Sequence, residues 1–525
     1  MEATMTAPAT GWRAYIRKRI YRWHRVLGII TVIPVIFWCL SGIAHPFMSH
    51  WFKPQIAHEF VKPEPVNPEA LKVPLAEILN RAGIPVLRTF RVISFDGRTV
   101  YQVMLSDHKL VYFDTKTGEQ LEKGDIAYAG YLAQYFAGDR QSRVRVTPVT
   151  SFTSEYRSVN RLLPVWKVSF DRPDGMDVYV DTEQSRLANY NERSRKVFLA
   201  VFNTFHTWEW LTSISHNTVR VLVMMACLTV IILSMLSGVI VYGVLWKKAK
   251  KVRKDGSIRR YHRQIGIAVS LVTLTFAFSG AYHVSRKLTP DNRHAFVRQP
   301  LIRTNGLRVP MEKLPLDWPR VTGLSLAQVD GRSYYRVSYK KESNWDKKQV
   351  DQAETAKPVA SADPAGVAYY DTQTASLLPD GMIAHAKDLV RSFWAAEESG
   401  KGPACCEAMD AGQQQAAGEL PELEKTDILT RFDREYGFIN KRLPVVKLSL
   451  RTDDHLSYYV EPATGHLAAR ITDGDRLEGL SFAFLHKYSG VDGFGKNFRD
   501  GITLFSSLGV LVVSVLGLIL FWKGK

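Results

Sequence analysis

Four apolar stretches, at about 26–47, 218–246, 264–284 and 502–522, interrupt a chain that is otherwise a mixture of polar and alternating segments. Each is long enough to carry a helix across a hydrocarbon layer about 30 Å thick. The first is followed by a long, mostly polar region without an Ala-x-Ala cleavage pattern, so it reads as a retained anchor and not as a secretion signal. Between the spans the period changes from helical to two. Runs such as YQVMLSD (101–107) and WKVSFDR (166–172) set apolar residues at alternate positions, as half-buried strands do. They lead into VYFDTKTGEQL (111–121), VYVDTEQSRLA (178–188), AYYDTQTASLL (368–378) and YYVEPATGHLA (458–468). Each of these is an aromatic or β-branched run that meets an Asp- or Gly-bearing turn, a hairpin signal. Helix-like segments such as PLAEILNRAGI (74–84) precede some of the strands.

The pattern occurs twice. YRWHRVLGIITVIPVIFWCLSGIAHPF (21–47) matches RYHRQIGIAVSLVTLTFAFSGAYHVS (260–285), with His24, Gly28, Ser41-Gly42 and His45 returning as His262, Gly266, Ser279-Gly280 and His283. Further on, RLLPVWKVSF (161–170) matches KRLPVVKLSL (441–450), and FNTFH (202–206) matches FAFLH (482–486). The offset grows between the two sets because of insertions near 341–363 and 398–420, which are polar and read as loops. The expected fold is therefore an α+β membrane protein. Four transmembrane helices arise by internal duplication, and each half carries two small α+β modules outside the membrane.

Charge fixes the orientation. The chain of 525 residues has a formal net charge of +18, and the excess abuts the spans. Arg13, Arg17, Lys18, Arg19, Arg22 and Arg25 precede the first, KKAKKVRKDGSIRRYHR (247–263) joins the second and third, and Lys523 and Lys525 follow the fourth. The positive-inside rule places these segments in the cytoplasm. The expected order is a cytoplasmic N-terminus (1–25), a span (26–47), an external region (48–215), a span (218–246), a basic cytoplasmic loop (247–263), a span (264–284), a second external region (286–500) and a last span (502–522). In a bacterial inner membrane the external regions are periplasmic. A basic run can also bind nucleic acid, but membrane topology accounts for these runs, and no nucleic-acid partner is expected. Of the four cysteines, Cys39 and Cys227 fall in spans as packing residues, and Cys405-Cys406 lie in the second insertion without a second pair to form a metal site.

Histidine is the candidate chemistry. His24 and His45 are 21 residues apart, as are His262 and His283. At a rise of 1.5 Å per residue that is ~31 Å, one membrane thickness, with both rings within ~60° on one helix face. Histidine at such depth ordinarily faces a bundle interior or a cofactor. His206 and His486 form a third related pair, shortly before the second and fourth spans. His216, His50, His58 and His294 have no counterparts and are expected at the surface.

The modules ending in Tyr-x-Asp-x-x-Thr-Gly-x-Leu resemble PepSY domains. Their arrangement between spans that begin His24-Arg25 with Gly28 and His262-Arg263 with Gly266 resembles the PepSY-associated transmembrane family, as do the endings at His206 and His486. The likeness covers nearly the whole chain outside the two insertions. It implies an inner-membrane protein that holds haem b and reduces ferric siderophores in the periplasm. Axial ligands on an electron-transfer haem are commonly two histidines from different helices. His24 and His262 are then expected to share a cytoplasmic-side haem, with Gly28 and Gly266 making room for the porphyrin or, alternatively, for a neighbouring helix. Externally the resemblance favours His206 and His486, whereas the repetition of His45 and His283 argues for them too. Two or three haems are expected, three if His45 and His283 each take a separate iron with His206 and His486 opposite.

No G-x-G-x-x-G opens a helix after a strand, so the electron donor is expected to be a membrane quinol or a separate cytoplasmic reductase. Arg161, Trp166, Trp208, Trp210, Arg442 and Lys447 are the expected lining of a pocket for a bulky anionic chelate near the external haem. The competing expectations are an electron carrier for another periplasmic acceptor, such as copper or a thiol, a haem-free PepSY regulatory or binding protein, and a proton-relay transporter. The last ranks lowest, because the spans contain no acidic residue.

Overall fold

The computed structural model describes residues 9–52, 54–249, 257–289, 296–340, 362–398 and 420–523. Cys405, Cys406, His294, part of the basic loop and most of both insertions lie outside them, as does the side chain of His50. The chain divides into two compact units: 1–53, 194–291 and 474–525 form one, and 54–193 with 292–473 form the other.

The first unit is helical. Among the described residues three helices are long and apolar enough to cross a membrane: α1 (Ala9–His50), α2 (Asn217–Ala249) and α5 (Lys496–Trp522). A fourth candidate is bent. Here α3 (Ser257–Ala268) and α4 (Ser270–Ser285) meet at 56° where one straight span was expected. The break falls at Val269, whose φ −96° and ψ 4° leave the helical region, beside hydroxyls that bond back to the main chain: Ser270 Oγ donates to the Ile267 carbonyl at 2.8 Å and Thr273 Oγ1 to the Val269 carbonyl at 2.9 Å. Such back-bonding bends helices. Val269 turns into space left by Gly509 of α5, where an added Cβ would lie 2.8 Å from the Val269 methyl. Two shorter segments accompany the spans, a helix Arg193–Phe205 and a helix Asp473–Ser481 that runs on into a turn at Phe482–His486.

The second unit has 17 strands among the described residues: β1 (Val86–Leu87), β2 (Thr89–Phe95), β3 (Arg98–Met104), β4 (Leu110–Asp114), β5 (Val144–Val149), β6 (Val165–Phe170), β7 (Asp177–Asp181), β8 (Arg186–Asn191), β9 (Ile302–Arg303), β10 (Val321–Val329), β11 (Arg332–Tyr339), β12 (Val367–Asp371), β13 (Leu377–Leu378), β14 (Leu423–Leu429), β15 (Val445–Leu450), β16 (Ser457–Glu461) and β17 (His466–Ile471). The sheets β5-β6-β7-β8 and β14-β15-β16-β17 have the same order and the same pairing, with Trp166 opposite Val180 and Val446 opposite Val460. The other two modules are not separate. Edge strand β2 pairs with edge strand β10 at Arg91 and Ser325, fusing them into one seven-stranded sheet, β13-β12-β11-β10-β2-β3-β4.

One helix per half lies between this sheet and a four-stranded one. Gly124–Ala137 buries Tyr128, Leu132 and Phe136 among Phe95, Tyr112, Val168 and Val178, and Gly381–Glu398 buries Met382, Leu389 and Phe393 among Tyr369, Val446 and Tyr458. The opposite face of the seven-stranded sheet is covered by Leu75, Ile78 and Leu79 of the helix Leu75–Arg81 and by Met311 and Leu314. Polar contacts also tie the halves together. Arg186 and Arg442 both grip the buried Glu461, at 2.7 and 2.6 Å. Burial opposes ionisation of Glu461, but the two guanidiniums prevail and hold its carboxyl down at about 2.

Candidate functional site

The helices of the membrane unit bring His24 of α1 and His262 of α3 together, with ring centres 6.3 Å apart and planes at 47°. The two residues lie 238 positions apart in the chain. Each is held in the same way by a neighbouring span. His24 Nδ1 lies 3.0 Å from the Ser234 carbonyl of α2 and 3.2 Å from Ser237 Oγ, and His262 Nδ1 lies 3.0 Å from the Val513 carbonyl of α5. A carbonyl only accepts, so both Nδ1 atoms carry the proton and each Nε2 keeps its lone pair. That is how metal-binding histidines are usually oriented. Two metal–nitrogen bonds of about 2 Å each, plus the half-widths of two rings, amount to about 6 Å, so a single metal ion between the Nε2 atoms matches the spacing.

Glycine makes the approach possible. A Cβ at Gly238 of α2 would sit 2.9 Å from His24 Cε1, and one at Gly517 of α5 would sit 3.2 Å from His262 Cε1. Gly28 and Gly266 have the other expected role, helix contact: their nearest atoms are the side chains of Ser234 and Val513, at 3.8 and 3.4 Å.

Toward the other end of the spans, His206 and His486 are held by serines of the duplicated Ser-Gly pairs. Ser41 Oγ lies 2.9 Å from His206 Nδ1, and Ser279 Oγ 3.2 Å from His486 Nδ1. Each hydroxyl already donates to its own helix, Ser41 to the Phe37 carbonyl at 2.8 Å and Ser279 to the Thr275 carbonyl at 2.6 Å. Each therefore accepts from Nδ1–H, and the His486 ring also has a hydrogen bond to the Phe276 main chain. Burial, reinforced by nearby histidines, pushes the His206 imidazole down to about 3 and that of His486 to about 4. Both are neutral at pH 7, as metal ligation requires. Trp38 Nε1 donates to the His206 carbonyl at 2.8 Å, and its ring stacks on Trp208 at 4.9 Å.

His45 and His283 end up in unequal surroundings. Phe202 is in ring contact with both His45 (5.6 Å) and His206 (4.6 Å), and Phe482 likewise with His283 (4.5 Å) and His486 (4.8 Å). His283 Nδ1 also meets Glu478 Oε1 at 2.6 Å, whereas the position 280 residues earlier is Phe198. Among the described residues no three or more His, Cys, Asp or Glu side chains converge as a metal cluster. His24 and His262 come together as a pair, the number an axial haem site takes.

The residues considered for a chelate pocket are engaged in packing. In the β-structured unit Trp166 donates to Asp125, Lys447 pairs with Glu435, Arg442 with Glu461, and Arg161 bonds Asn440. In the membrane unit Trp208 is committed to Trp38, and Trp210 is half exposed. Sequence reasoning missed Gly238, Gly517 and Glu478. The two glycines were within reach, because aligning LSMLSGVIVYG (233–243) with VVSVLGLILFW (512–522) superposes them.

A family model described as "PepSY-associated TM region" matches residues 131–523, well over half of the chain. No curated protein matches it.

Proposed function

The chain belongs to the PepSY-associated TM family, and from that premise and the paired histidines we propose a multi-haem b-type electron-transfer protein of the bacterial inner membrane. It carries electrons from the cytoplasmic side to a periplasmic ferric siderophore. The bent pair α3–α4 counts as the fourth span, the two halves derive from a duplication, and the basic ends of the spans face the cytoplasm. The observation that carries the reading is the His24–His262 pair: two imidazoles from different helices at 6.3 Å, each with Nδ1 tied to a carbonyl of a third and fourth helix.

Bound haem supplies one-electron chemistry through its ferric and ferrous states. The rest falls to the chain. His24 and His262 would hold one haem iron at the cytoplasmic side, and His206 and His486 would hold another at the periplasmic side. The Ser234 and Val513 carbonyls and the Ser41 and Ser279 hydroxyls fix tautomer and ring direction. The apolar bundle excludes water, and the two sites shorten a crossing of about 30 Å. Each electron delivered turns the substrate's ferric ion ferrous, which binds hard oxygen donors less tightly and so lets iron go. The donor is a membrane quinol or a separate cytoplasmic reductase.

The test is spectroscopic. Purified protein should show a Soret band that shifts on dithionite reduction, and ferric chelates should re-oxidise it at rates that depend on the chelate. Uniform slow rates would favour a carrier for another acceptor, and colourless, fully folded protein would leave the haem-free regulatory reading. The glycine contacts give a finer check. Gly238→Ala forces His24 to shift, and disturbing ligand orientation typically costs 10–100-fold in affinity. Haem retention during gel filtration should fall in this variant more than in Gly517→Ala, whose added methyl has a few tenths of an ångström more room. Equal retention in both variants and wild type would argue against ligation by His24.

A further inference from the structure

The short helices that end at His206 and His486 have one face packed and one face bare. On the Arg193–Phe205 helix, Phe198, Phe202 and Phe205 make ring contacts with Phe52, His45 and Phe37 of the α1 segment, at 5.1, 5.6 and 4.6 Å. The chain thus descends along α1 toward the middle of the span. Its last contacts lie at Phe37 and Trp38, and Phe37 precedes Met48, the outer end of the apolar span, by 11 residues, or about 16 Å of helix. The 473–486 segment follows the same course along α4. Arg286 holds Asp475 at 2.7 Å, His283 holds Glu478 at 2.6 Å, and His486 reaches Ser279 at 3.2 Å.

The opposite faces are apolar and exposed. Val197 and Val201 are 59% and 53% exposed, one helical turn apart, and Leu477 and Leu480 are 61% and 55% exposed on the other segment. This surface continues that of the spans, since Phe37 and Phe205 are in tilted ring contact and are both partly exposed. Arg193 stands exposed at the upper end of the first segment, where a long basic side chain can reach headgroups while the stripe below stays apolar.

We propose that both segments are re-entrant, sunk into the outer leaflet beside the spans, and that Val197, Val201, Leu477 and Leu480 face phospholipid acyl chains. His206 and His486 then lie below the membrane surface and not at it. The inference rests on the membrane reading of the spans and holds whether or not haem is bound.

The experiment uses full-length protein in nanodiscs of phosphatidylethanolamine and phosphatidylglycerol, with p-benzoylphenylalanine placed at Val201, at Leu480 or, as a water-side control, at the exposed Phe438. After irradiation, intact-mass analysis should show an added phospholipid at positions 201 and 480 and none at 438. Absence of lipid adducts at 201 and 480, with the photoprobe's ketone consumed as at 438, would overturn the proposal in favour of a solvated face. Protein–protein adducts would overturn it in favour of a second copy covering the stripe. The same probe at Val197 guards against a variant that fails to fold. Because the readout is lipid mass, a colourless protein would refute the haem reading and leave this one intact.

Discussion

Replacing His24 by alanine is expected to remove the same haem as replacing His262. Haem content in either variant should fall by about one per chain, the outer cofactor should persist, and the double variant should lose no more than the single ones. The expectation follows from the 6.3 Å separation of the rings, which suits one iron between two Nε2 atoms and leaves no room for two. It also follows from how each ring is anchored. Ser234 belongs to α2 and Val513 to α5, so the tautomer of each imidazole is set by a different helix, and loss of one ring leaves the other still aimed at the same point. A five-coordinate remnant could be retained weakly, so the measurement pairs the pyridine haemochrome ratio with the low-spin signature of the reduced spectrum. Electron delivery from a cytoplasmic donor to a ferric chelate should be lost in both variants. Should the two variants lose spectroscopically different haems, the shared site is wrong.

The histidines were legible in the sequence because they are side chains that the repeat preserves. His24, His45 and their partners recur at fixed spacing in spans where packing alone would tolerate many residues. What holds them was less legible. Ser234 and Val513 act through main-chain carbonyls, which any residue possesses, so the pair of contacts has no sequence signature even though its geometry is the same twice. Glu478 escaped because its counterpart is Phe198, and a search for repeats looks past what differs. The alternating runs gave the strands, yet not the joining of β2 to β10, because edge pairing is decided by main-chain groups and by which edge is left open. The bend at Val269 is a local change of main-chain dihedrals, which a hydropathy window does not register.

That same inequality between repeats leads to the second large effect, at the outer site. His206→Ala or His486→Ala is expected to remove the outer haem, whereas the double change His45→Ala with His283→Ala should leave haem content near two per chain. A cofactor shared across a two-fold axis needs ligands in matching settings. His206 and His486 meet that condition, each with Nδ1 on a serine hydroxyl that is itself fixed by its own helix. His45 and His283 do not. His283 is bound to a carboxylate that His45 lacks, and each shares a phenylalanine with the histidine of its own half, Phe202 and Phe482. A carboxylate on Nδ1 also orients metal-binding histidines, so Glu478 does not by itself bar His283 from ligation, and the two-haem outcome rests on the serine-anchored His206 and His486. Haem stoichiometry on the four single variants and the double variant decides it. A wild-type ratio near three that drops when His45 and His283 are replaced would establish the three-haem arrangement, and a ratio near two, insensitive to them but lowered by His206→Ala, would assign the outer iron to His206 and His486 alone.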